Sequence, residues 1–156
     1  MTHSARSELL DETIIEEINR LLHMASDLCM AYATACRRID DPRLREDLDL
    51  LDHSHDRYRA ELGDWIRSHG GKETGTGDWH GVVERARVVI GDISGDGGIL
   101  RAMATNEADM AAAYRRLRET PGIPEEVLAI VDRALEHEQR LRVFYEQAVA
   151  RVSPIA

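Results

Sequence analysis

Apolar residues recur at steps of three, four and seven along most of this chain, the spacing of a single helix face. Leu10, Ile14, Ile18, Leu21, Ala25, Leu28, Tyr32, Ala35 and Ile39 predict a first helix over about residues 7–39. Asp40-Asp41-Pro42 ends it, with Asp41 suited to cap the next helix and Pro42 to its first position. Leu44, Leu48, Leu51, His55, Tyr58, Leu62 and Trp65 predict a second helix over about 42–68, closed by Gly70-Gly71. Leu100, Met103, Glu107, Met110, Tyr114 and Leu117 mark a third long helix over about 98–119. Pro121-Gly122-Ile123-Pro124 makes a tight corner, and a fourth helix comes after it over about 124–152. Its predicted stripe is Val127, Ile130, Ala134, His137, Leu141, Phe144 and Ala148.

Glycine is absent from residues 1–62, and nine of the 11 glycines fall between Gly70 and Gly98. That stretch reads as a connection, with a short helix of its own over about 79–93 capped by Asp78. No segment shows the alternation of a strand. The expected fold is all-α: a four-helix bundle of two antiparallel hairpins joined by a crossover with a short extra helix. One domain over 1–156 is expected, with its core over about 9–152.

Charge narrows the partners. Twenty basic against 29 acidic residues leave a net charge of −9. A phosphate backbone would be repelled, so nucleic acid is not an expected partner. The single lysine, Lys72, leaves no lysine-rich tract for anionic lipid, and no apolar run approaches the roughly 20 residues of a membrane span. The first residues lack the apolar segment of a secretory signal, so a cytoplasmic protein is expected. Cys29 and Cys36 lie seven apart on one helix, about 10 Å along its axis. That is too far for a disulfide, and two reduced thiols are expected. A homodimer is also an expectation, because Val82, Val83, Val89 and Ile90 of the short helix form an apolar face without an obvious cover.

The two hairpins share a short pattern, acidic-x-x-Met-Ala-x-Ala, at Asp27–Ala33 and Glu107–Ala113. A histidine comes after each at a similar distance, His55 in one half and His137 in the other. Asp27 and His55 are each 14 residues from Asp41, about 21 Å along the helices. Glu107 and His137 are about as far from the second corner. All four therefore fall at one height if the hairpins pack side by side. His55, Glu107 and His137 occupy stripe positions where leucine is expected. A polar group in a bundle core costs several kcal/mol unless it is paired or bound to metal. Such a layer satisfies itself either by histidine–carboxylate hydrogen bonds or by ligating iron, manganese or zinc.

With this helix order, the Asp-Pro corner, the Gly-Gly after the second helix and Glu107, the chain resembles the ferritin-like superfamily. In particular it looks like the small bacterial ferritin-like proteins of undefined, often stress-associated, function. The resemblance covers about residues 9–152. It implies a carboxylate from the first helix of each half and Glu-x-x-His from the second. Asp27 and Glu107 match the first element, and Asp52-His53-Ser54-His55 matches the second with Asp in place of Glu. The last element departs, because Ala134 stands three residues before His137 where a bridging carboxylate belongs. The implied metal ligands are thus Asp27, Asp52, His55, Glu107 and His137, and the implied cofactor is iron or manganese in a degenerate site. Two functions are compatible with these residues: a metal-binding bundle with a stress-related role, or a non-catalytic structural or interaction bundle whose polar layer only sets register.

Overall fold

The computed structural model describes residues 3–74, 90 and 93–153. Among them the secondary structure is helical throughout: α1 (His3–Arg38), α2 (Pro42–Ser54), α3 (Asp56–Ser68), α4 (Asp96–Arg118) and α5 (Glu125–Val152). None of these helices is long and apolar enough to cross a membrane. α2 and α3 are separated only by His55, so the described residues form four long helical rods. The expected extra helix over 79–93 lies outside the described residues, apart from Ile90 and Ile93. Val82, Val83 and Val89 lie outside them as well. Ile90 is fully buried, so it adds nothing to an uncovered face.

The α1–α2 corner forms as its sequence predicts. Asp41 is extended, and its carboxylate accepts the Arg43 N–H at 2.8 Å, with Pro42 opening α2. A second carboxylate holds the same corner from across the molecule. Asp96, the first residue of α4, accepts the Asp40 N–H at 2.8 Å and the Asp41 N–H at 3.1 Å. Arg38 adds a hydrogen bond to the Ile93 carbonyl at 3.0 Å. After α3, Gly70 turns the chain with φ 74°. Gly71 then passes so close to Ile15 that a Cβ would lie 2.8 Å from its Cδ1. Glycine is thus required twice in a row, once for conformation and once for space. Asn19 of α1 anchors the residues just beyond, donating to the Lys72 carbonyl and accepting from the Thr74 N–H, both at 3.0 Å.

One apolar core joins all the rods. α1 packs against α2, α3 and α4; α4 packs against α5; α5 packs against α3. The sequence of neighbours around the core is α1, α2–α3, α5, α4, and back to α1. Ile18, Leu48, Leu62, Leu100, Met103, Val127 and Val131 are fully buried within it. The stripe of α5 differs from the predicted one in two places. Ala134, Glu138, Leu141, Tyr145 and Ala148 are buried, whereas His137 and Phe144 are only partly so. The buried face of α5 is therefore rotated by one residue from the expected stripe at both places.

The predicted helix over 42–68 is also not continuous. The Ser54 hydroxyl donates to the Leu51 carbonyl at 2.5 Å, and the His55 N–H reaches the Asp52 carbonyl at 3.2 Å, a bond over three residues rather than four. This tightened turn separates α2 from α3 and puts His55 at the break.

Candidate metal centre

Three side chains from three rods meet at the middle of the core. His55 comes from the α2–α3 break, Glu107 from α4 and Glu138 from α5, and each has a ligand atom within 4.8 Å of the others. All three residues are buried, with 5 % exposure or less. The His55 Nε2 lies 3.2 Å from Glu107 Oε1, and its Nδ1 lies 3.8 Å from Glu138 Oε1. The imidazole thus stands between two carboxyl groups and faces one with each nitrogen.

Two tyrosines extend the cluster. Tyr32 of α1 donates its hydroxyl to Glu107 Oε1, and Tyr145 of α5 donates to the Tyr32 oxygen at 2.9 Å. Both phenols are held well above the ordinary tyrosine range, first of all by burial. They remain protonated donors, so Glu107 Oε1 has two neighbours, the Tyr32 hydroxyl and the His55 ring.

The remaining carboxylate oxygens have none. As ionised carboxylates, Glu107 Oε2 and both oxygens of Glu138 are buried without a hydrogen-bond donor, and a proton on Glu138 is the one that the two carboxyls can share. Buried polar atoms are nearly always satisfied, and three orphaned oxygens in one cluster require an explanation. Burial and the neighbouring charge of Glu107 push the Glu138 carboxyl up to about 10. At neutral pH it therefore holds a proton when nothing else neutralises it.

Of the five ligands implied by sequence, His55 and Glu107 are in the cluster and three are not. Asp27 is half-buried and lines a shallow groove between α1 and α4 with Met24, Asn106 and Asp109. It lies about 140° around α1 from Tyr32, the residue that does reach the site. Asp52 is also half-buried, with its carboxylate 3.7 Å from the Cys29 thiol. Burial raises the ordinary values of both Asp27 and Asp52. His137 points to the side of the cluster, its Nε2 2.7 Å from Ser54 Oγ and its ring edge-on to His55 at 5.4 Å. Burial and the nearby His55 hold His137 down to about 4.

The carboxylate that the sequence reading missed is Glu138. The flanking spacing Val131, Ala134, Glu138, Leu141, Tyr145, Ala148 is an alternation of three and four, and that signal could have found it. The shared motif of the two hairpins does not carry over into equal roles, because Glu107 and His55 are ligand candidates while Asp27 and His137 are not. Comparison with protein-family models, with curated proteins and with solved structures finds no match.

Proposed function

We propose that this chain is a helical bundle that binds one divalent cation, iron or manganese, at His55, Glu107 and Glu138. The observation that carries the reading is a buried imidazole and two buried carboxyl groups with ligand atoms within 4.8 Å of one another, three of whose carboxylate oxygens lack a hydrogen-bond partner. A cation with ligands at about 2.0–2.2 Å spans about 4–4.5 Å between opposite donors, close to the spread of this cluster. One imidazole nitrogen with hard carboxylate oxygens suits iron, manganese or zinc rather than calcium or copper(I). Tyr32 orients Glu107, as outer partners of metal ligands commonly do. Three protein donors leave positions for water or a small exchangeable ligand, and such a cation would supply Lewis-acid or one-electron chemistry there. The ring of neighbours α1, α2–α3, α5, α4 agrees with the ferritin-like arrangement of two hairpins, and a stress-related role is part of the same proposal.

One observation favours a second reading. The raised Glu138 carboxyl is neutral at pH 7, and a proton held beside Glu107 would serve as a purely structural polar layer. The two readings separate in thermal melts of metal-free protein with Fe²⁺ or Mn²⁺ added anaerobically. A ligand held only by the native state at 100 times its Kd stabilises by about 2.7 kcal/mol. The proposal expects a rise of that order, lost in Glu107→Gln and Glu138→Gln. An unchanged melting temperature in the native chain would leave the structural layer as the answer.

A further inference from the structure

The cluster is buried, yet two of its residues also form the floor of an open groove. The groove runs between α4 and α5, encloses about 610 Å³, and has Glu107, Glu138 and Tyr145 at its base. Its α4 wall is Ala104, Ala108 and Ala111, at positions i, i+4 and i+7 of one helix face. Methyl groups at these positions leave space beside Glu138 that longer side chains would fill. His55 does not line the groove.

The rim chemistry also bears on what can pass. Arg142 is paired to Glu146 at 2.9 Å, which offsets its charge where the groove crosses the cluster. Arg115 stands at one end, eight residues and about 12 Å along α4 from Glu107. Among the described residues, no unpaired cation lines the stretch beside Ala104 and Ala108. Glu138 lines the groove, and its partnerless oxygens lie just beneath that lining, out of direct contact with solvent. The groove between α1 and α4, lined by Met24, Asp27 and Asn106, is smaller, about 120 Å³, and includes none of the cluster residues.

The geometry points to the α4–α5 groove as the route by which a hydrated divalent cation and its exchangeable ligands reach Glu107 and Glu138, with Ala108 and Ala111 holding the route open. This rests on the cation-binding reading above and adds where the site opens. Ala111 is only half-buried and faces open space, so Ala111→Phe plugs the groove without overfilling the core. Asp109→Phe places the same ring in the α1–α4 groove and serves as the control.

The test has two arms. In the first, stopped-flow uptake of Co²⁺ is compared among the native chain, Ala111→Phe and Asp109→Phe, with Kd measured at equilibrium. The expected result is uptake at least tenfold slower in Ala111→Phe, with Kd unchanged within about threefold, and a native rate in Asp109→Phe. The second arm needs no metal. With Cys29 and Cys36 replaced by serine, the thiol introduced by Glu138→Cys is labelled with methyl methanethiosulfonate, and adding Ala111→Phe is expected to slow labelling at least tenfold. Melting curves establish that each variant folds. Equal rates with and without Ala111→Phe in either arm, or slowing by Asp109→Phe instead, overturn the route. Absence of any uptake by the native chain ends the cation reading and this route together, whereas normal uptake unaffected by Ala111→Phe ends only the route.

Discussion

Glu138 and His137 are neighbours in sequence with opposite electrostatic fates. Glu138 points into the core beside Glu107, where its charged form is disfavoured and its carboxyl rises from 4.5 to about 10. His137 turns toward Ser54, and burial beside His55 lowers it from 6.5 to about 4. The native state therefore keeps a proton on Glu138 that the unfolded chain releases between about pH 4.5 and 10. Stability from this group is complete below 4.5 and is lost as pH rises. His137 works the other way, because the unfolded chain holds a proton that the native state refuses between about 4 and 6.5. Its contribution is lost as pH falls through that window. Urea unfolding of metal-free protein should thus show stability falling by about 2 kcal/mol between pH 7 and 9, with Glu138→Gln removing most of the slope. Below pH 6.5, His137→Asn should remove a smaller slope of about 1 kcal/mol, after allowance for solvent screening of a half-exposed ring. An identical pH profile for Glu138→Gln and the native chain would contradict the environment described for Glu138.

Helices here are positioned by a few contacts between ends as much as by their stripes. Asp96 opens α4 and at the same time holds two N–H groups of the α1–α2 corner. Asp96→Ala should cost about 1–2 kcal/mol, because these donors then fall back on water, while Asp96→Asn should retain part of the bonding; chemical denaturation measures both. A cost below about 0.3 kcal/mol would show that solvent replaces the carboxylate without loss. The helices themselves were legible in sequence, since Asp41-Pro42, Gly70-Gly71 and Pro121–Pro124 are strong local punctuation. The break at His55 was not, because it arises from a serine hydroxyl bonding to its own helix and a histidine held by two other rods. Local propensity contains neither contact. Glu107 and His55 were legible as polar residues at apolar positions. Glu138 is hidden in the sequence because the apolar spacing also allows a stripe through His137, one residue away, and a rotation of about 100° exchanges an inward for a sideways side chain. Asp27 likewise stands next to the buried Leu28 rather than on its line.

At the scale of the whole molecule, four rods around one core bring together residues 55, 107 and 138, which sequence separates by 52 and 31 positions. Three rods supply ligand candidates and the fourth supplies Tyr32, so the site exists only when all of them pack. A bound cation would then be coupled to folding of the entire domain, since no single hairpin holds the full set. His55 and Tyr32 come from the first hairpin and do not line the groove, whereas Tyr145 and the alanines of α4 come from the second and do. The acidic surface, with net charge −9, adds a general attraction for cations that salt would screen. The most direct measurement is the metal content of protein purified without added metal or chelator, by mass spectrometry, alongside Glu107→Gln and Glu138→Gln prepared in the same way. The account predicts close to one iron or manganese per native chain and a small fraction of that in either variant. A native chain that emerges metal-free and takes up neither ion on incubation would contradict it.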